Sequence, residues 1–234
     1  MRIQKHLQKK LEKLSEIKRK HYHHLLHKIH KKHNISKRTL FYIKEYGPHS
    51  NVAKTIIKES IKVLLLASII SSLGGLAIEQ IKTAFISLIP LVIILPALNN
   101  MIGSYGTVIS SKFATMLYEG QIKKHWMKEE AVRKLFIQIL IIALITTLLS
   151  VIASLIASRL MNNSVDFWLA MKIFFIAVID VSLLVSIIYF SAIVIGLQLY
   201  KKKEDPNNFL IPITTSIADF GNMAILALLV ILFF

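Results

Sequence analysis

Residues 135–158 read LFIQILIIALITTLLSVIASLIAS, twenty-four residues without a single charge. As a helix rising 1.5 Å per residue, such a segment is about 36 Å long and crosses a hydrocarbon core of about 30 Å. The run is continuously apolar rather than alternating, which excludes a barrel strand. Reading outward from it, charge to charge, yields four more runs of the same kind. One lies between Lys62 and Glu79, with Ile56 and Ile57 adding a turn at its start. Another extends from Thr83 to Ser111 and contains Pro90 and Pro96. A third covers Ile173 to Tyr200 and carries one acid, Asp180. The last, Pro206 to Phe234, also carries one acid, Asp219. The reading is an all-α polytopic membrane protein with five transmembrane helices, at about 56–79, 83–111, 135–158, 173–200 and 208–233 (a transmembrane domain of 55–234). A basic amphipathic helical arm, 1–54, precedes them.

Composition agrees with this division. Of 234 residues, 54% are hydrophobic and 18% charged, yet the formal net charge is +16. Residues 1–60 hold sixteen of the 29 Lys and Arg, four of the 13 acids and eight of the nine His. A greasy body with a strongly basic arm excludes an ordinary soluble enzyme. The chain has no cysteine, so thiolate catalysis, zinc knuckles and iron–sulfur ligation are excluded as well. The first long apolar run starts about sixty residues in, which argues against a cleavable signal peptide.

Orientation follows from Lys and Arg near the spans. With the N-terminus in the cytoplasm, Lys112, Lys123, Lys124, Lys128, Arg133, Lys134 and Lys201 to Lys203 lie inside, and only Lys82, Arg159 and Lys172 lie outside. That bias predicts a cytoplasmic N-terminus, a C-terminus outside and a place in the cell membrane. It also puts the sequon Asn162-Asn163-Ser164 on the outer side. The short polar link Glu79–Lys82 predicts that the first two spans pair as an antiparallel hairpin. Gly74-Gly75 in the first span predicts close approach to a neighbouring helix.

Polar groups inside the spans carry the functional argument. A carboxyl within a span costs roughly 2.5–3.5 kcal/mol to insert, so Asp219 and Asp180 are functional candidates facing the bundle interior. Asp219 follows Pro212, Thr214, Thr215 and Ser216; Thr215, four residues before it, shares its helix face. Pro212 frees a backbone carbonyl that can ligate a hard cation. A structural acid capping a neighbour or pairing with a Lys is the plainer alternative, and it weighs more for Asp180, whose polar neighbours are only Ser182 and Ser186. The second span carries Pro96-Ala-Leu-Asn99-Asn100-Met-Ile-Gly103-Ser104-Tyr105-Gly106-Thr107. Two Asn, two Gly and two hydroxyls there fit an ion pathway through a broken helix, with tight glycine packing as the alternative. The spans contain no His, so every ligand on offer is an oxygen, which selects Mg²⁺ or Ca²⁺ over zinc or copper.

At these residues the sequence resembles a known family. Pro96, then Gly103-Ser104, then Ser110-Ser111-Lys112-Phe113-Ala114-Thr115 is similar to the second-helix signature of MgtE-type divalent cation transporters, in particular the solute carrier family 41 branch. Asp205-Pro206-Asn207-Asn208 with Pro212, Thr214-Thr215 and Asp219 resembles the element that opens that family's last helix. The resemblance covers about 55–234. It implies a homodimer whose second and fifth helices line one cation path, with Asp219 binding hydrated Mg²⁺ near the axis and Gly103 and Thr215 close by. Asn100, Ser104, Ser216 and Asp180 complete the candidate metal-site residues. Ser104 stands where the family usually has Asn, and neither the family's helical N-domain nor its CBS pair precedes the helices. The expectation is a Mg²⁺ channel or transporter, not an enzyme, with Mg²⁺ as transported ion and no cofactor.

The arm places Ile3, Leu7, Leu11, Leu14, Tyr22, Leu25 and Ile29 at spacings mostly of three or four. A basic amphipathic helix of this kind suits the anionic membrane surface; nucleic acid is not expected as a partner. His23, His27 and His30 share one helical face, a spacing that can hold a transition metal, but a solvated basic helix is the simpler reading. Asp219-Phe220-Gly221 matches a kinase tripeptide without any accompanying kinase motif. Two rivals of other classes stand beside transport: an intramembrane aspartyl protease using Asp180 and Asp219, and a membrane anchor presenting the arm.

Overall fold

The computed structural model describes residues 29–36, 39–40, 52–118, 122, 129–202 and 205–234. Among them every regular element is a helix: α1 (Val52–Gln80), α2 (Lys82–Ser87), α3 (Ile89–Tyr118), α4 (Glu130–Leu160), α5 (Phe167–Lys202) and α6 (Pro206–Phe233). All but the six-residue α2 are long and apolar enough to cross a membrane. The arm reading and most of the His cluster fall outside the described residues; 29–33 is helical, and the His30 ring pairs with the Ile35 carbonyl oxygen at 2.6 Å.

Local chemistry explains where the helices begin and end. Asp205 caps α6: its side chain accepts from Asn207 N–H at 2.9 Å, and Pro206 occupies the first helical position, where a missing N–H costs nothing. At the end of α4, Asn162 takes a left-handed φ of 61°, which terminates the helix. Pro90 is the second residue of α3, where proline is tolerated, whereas Pro96 lies inside the helix and leaves the Val92 carbonyl without its usual partner. The second apolar run therefore divides. Residues 82–87 form α2, with Phe85 buried, and the spanning helix starts only at Ile89 and continues past Ser111 to Tyr118.

Pairs across the helix contacts give the direction of each span. Asn99 meets Asp219, Gly106 meets Thr214 and Tyr118 meets Asp205, so α3 and α6 are antiparallel. Tyr105 with Thr146 and Met101 with Ser150 make α3 and α4 antiparallel. Tyr189 with Val132 does the same for α4 and α5, and Lys172 with Phe233 for α5 and α6. Successive spans alternate in direction, as consecutive crossings must.

The expected hairpin of the first two spans is not formed. α1 packs against α6 and touches α3 little or not at all. The break at Ile81 and the inserted α2 carry the chain away from α1 before α3 begins. Gly74 lets α1 approach: a Cβ there would lie 2.9 Å from Met223 Sδ and 3.2 Å from Phe220 Cα. Gly75, by contrast, faces open space. The core lies between α3 and α5, where Leu98, Ile102, Ile109 and Phe113 face Ile176, Val181, Val185 and Ile188, all fully buried. α4 exposes Ile137, Ile141, Ile145, Leu149 and Ile156, an apolar face suited to lipid.

Candidate functional site

Asp219 sits midway along α6, half-buried, where α1, α3 and α6 meet. Ser71 Oγ of α1 donates to its Oδ2 at 3.0 Å, and Asn99 Nδ2 of α3 donates to its Oδ1 at 2.9 Å. Asn222, fully buried one turn further on, donates from Nδ2 to Asn99 Oδ1 at 3.2 Å and so orients the Asn99 amide toward the acid. Each carboxylate oxygen receives one neutral donor. A carboxylate has about four lone-pair positions, so acceptor capacity remains for a cation or its water shell. Among the described residues no Lys or Arg forms an ion pair with Asp219, so its charge is not neutralised by the protein. The alternative of a lysine-paired structural acid is not what these contacts show.

Beside the carboxylate lies a groove of about 500 Å³ lined on α3 by Pro96, Asn99, Asn100, Gly103, Ser104 and Thr107, and on α6 by Thr215 and Asp219. At about 30 Å³ per water, a six-water shell occupies roughly 180 Å³, so a hydrated divalent ion fits. The α3 residues recur every three or four positions, so one helix face supplies them all. Thr215 donates to the Ile211 and Pro212 carbonyls at 2.9 and 3.0 Å, which leaves its oxygen as an acceptor toward the groove. No Cβ-distance atom lies within 4 Å of Gly103, so this glycine keeps the groove wide. Gly106 does the opposite: a Cβ there would lie 3.2 Å from Thr214, and its absence brings α3 and α6 together below the groove. The two readings of the glycine-rich stretch, pathway and tight packing, thus apply to different glycines.

Five of the seven candidate residues, Asp219, Thr215, Gly103, Ser104 and Asn100, line this groove. Ser216 does not; it is buried and its hydroxyl donates to the Ile213 carbonyl at 2.9 Å. Nor does Asp180, which is 0% exposed on α5 and whose two oxygens have no hydrogen-bond partner. Ser71 and Asn222 were not anticipated. Ser71 lies three residues before Gly74 and shares its helix face, so the close approach that Gly74 permits also delivers the Ser71 hydroxyl.

The profile of the MgtE family of divalent cation transporters matches residues 95–229, which contain the α3 and α6 linings of the groove. The chain belongs to the MgtE family. It is therefore a multi-pass membrane protein of a divalent cation transporter family, and that family is one of transporters rather than enzymes. No curated protein and no solved structure gives a significant match.

Proposed function

We propose that this MgtE member conducts Mg²⁺, or a divalent ion much like it, along the α3–α6 groove, with Asp219 as the carboxylate that holds the ion. The observation that carries the reading is an acid in a spanning helix with only neutral donors around it and an oxygen-lined groove beside it. Mg²⁺ dehydrates reluctantly and keeps several waters, so it needs a wide polar passage with one or two carboxylates rather than a closed cage. Asn100, Gly103, Ser104 and Thr215 offer oxygens to those waters, and the Asp219 charge supplies the attraction.

The groove also argues for a homodimer. Pro96, Asn100 and Ser104 are exposed on the single chain, although the rest of its exposed mid-span surface is built from residues such as Leu65, Ile69, Ile141 and Ile187. Asn and Ser side chains facing hydrocarbon are unfavourable, and a second copy related by a two-fold axis closes them into a shared path. Two Asp219 carboxylates then face one passage and reinforce its attraction for a divalent ion. The bias of Lys and Arg supports a cytoplasmic N-terminus in the cell membrane, with the basic arm on the anionic inner surface. Asp180 is not part of the path in this reading.

Reconstitution in liposomes tests the assignment. Asp219→Asn keeps the shape and removes the charge, and Mg²⁺ flux falls by about tenfold or more, the factor that 1.4 kcal/mol represents. Asp180→Asn retains flux. Wild-type flux from Asp219→Asn refutes the assignment.

A further inference from the structure

A second polar cavity, of about 280 Å³, lies further along the same α3–α6 seam. Its lining includes Ser60 of α1, Ser111 of α3, and Asn207, Asn208 and Pro212 of α6. Ser111 is one turn beyond Thr107 on α3, and Pro212 is one turn before Thr215 on α6 on the same side, so the cavity continues the groove toward the Tyr118–Asp205 end. We propose that it is a second divalent-cation site, made only of neutral oxygens, through which the ion passes on its way to or from Asp219.

Two independent features point to a cation. Asn207 Oδ1 is buried and accepts no hydrogen bond, an unfavourable state for an amide oxygen unless a ligand faces it. Pro212 has no N–H, so the Asn208 carbonyl loses the helical donor it would otherwise have four residues on. The cavity stands at the N-terminal end of α6, where the helix dipole favours anions. Here that preference is offset. Asp205 already takes the first-turn N–H groups, Asn207 N–H at 2.9 Å through its side chain and Asn208 N–H at 3.1 Å through its carbonyl, and it contributes its own negative charge nearby. What remains for a ligand is acceptors. Lys58 and Lys62 each lie two residues from Ser60, on the opposite side of α1.

With no carboxylate in its lining, this site binds more weakly than the Asp219 groove, as a transit site must if ions are to leave it. From Asn207 to Asp219 is twelve residues of helix, about 18 Å, more than a Debye length of about 8 Å at physiological salt, so both sites can be filled at once.

The inference rests on the proposed transport function, and its test separates the two. The full chain in lipid nanodiscs is titrated with Mn²⁺ and the bound ion is followed by electron paramagnetic resonance, while Mg²⁺ flux is measured in liposomes. Wild type shows a tight and a weak class. Asp219→Asn removes the tight class; Asn207→Leu and Ser111→Ala remove or weaken the second by about tenfold and raise the half-saturating Mg²⁺ concentration for flux. Asn207→Asp, nearly the same size, places a charge where the orphan oxygen lies and tightens the weak class by about tenfold or more. An unchanged Mn²⁺ isotherm in Asn207→Leu or Asn207→Asp overturns the second site while leaving Asp219 untouched. So does loss of anionic-lipid binding in Asn207→Leu with Mn²⁺ binding intact. Wild-type flux in Asp219→Asn overturns the transport reading instead.

Discussion

Around Asp219, three side chains from three different stretches of sequence decide what the carboxylate can do. Ser71 and Asn99 fix its two oxygens with one donor each, and Asn222 holds the Asn99 amide in the donating orientation. A hydrogen bond to a charged group is worth about 1.5–3 kcal/mol. Removing one therefore loosens the carboxylate without removing its charge. Asn99→Ala is expected to raise the half-saturating Mg²⁺ concentration while leaving residual flux above that of Asp219→Asn, a difference that a concentration series in liposomes resolves. Asp180 illustrates the other case. It satisfied every sequence criterion applied to Asp219, being an acid in a spanning run, yet the fold gives it no donor and no place in the groove. Its identity as an acid was legible; its surroundings, set by α5 being surrounded by α3, α4 and α6, were not.

Single helices impose constraints that no isolated residue reveals. α1 reaches the site only because Gly74 has no side chain. A methyl group there would lie 3.2 Å from Phe220 Cα and 3.4 Å from the Asp219 carbonyl, both backbone atoms that cannot rotate away. Overpacking of this kind costs about 1–3 kcal/mol. Gly74→Ala is expected to lower the thermal midpoint in detergent and to weaken Mg²⁺ affinity together, because the shift of α1 also withdraws the Ser71 hydroxyl. Gly75→Ala, facing open space, changes neither. At the far end of the same helix pair, the Tyr118 hydroxyl of α3 donates to Asp205, the cap of α6. Both residues are buried, so the bond ties the two pore-lining helices at one end. Tyr118→Phe should cost about 1.5–3 kcal/mol of stability, read in a denaturation series, by leaving a buried carboxylate short of a donor. The division of the second apolar run at Leu88 also belongs to this scale. Two prolines were visible in it, but which one would sit in the first turn depended on where the helix began.

The whole molecule poses the question of how a polar stripe survives in lipid. Asn100 and Ser104 are exposed on the protomer at mid-span, and burial against a second copy removes that cost. Because the chain has no cysteine, Ser104→Cys introduces the only thiol. Mild oxidation in membranes is expected to give a disulfide-linked dimer in high yield, whereas Ile145→Cys on the exposed apolar face of α4 gives little. Equal cross-linking at both positions would argue against the two-fold closure of the groove. A disulfide requires Cα atoms within about 7 Å, so the comparison reports on the axis itself and not on general proximity.

The sequence by itself determined that this chain is a bundle of five apolar spans, because hydrophobic run length is a local property matched to bilayer thickness. It also determined which residues merit attention, since polar and ionisable groups in such runs are costly enough to stand out one at a time, and five of the seven nominated line the groove. Only the tertiary structure decided that α1 docks on α6 rather than pairing with α3, that Ser71 and Asn222 complete the Asp219 site, and that Asp180 and Ser216 stand apart from it. Those outcomes turn on which helix faces meet. In lipid, where every span is equally apolar, the choice is made by close packing at particular small residues and by hydrogen bonds between distant positions, and neither leaves a periodic trace along the chain.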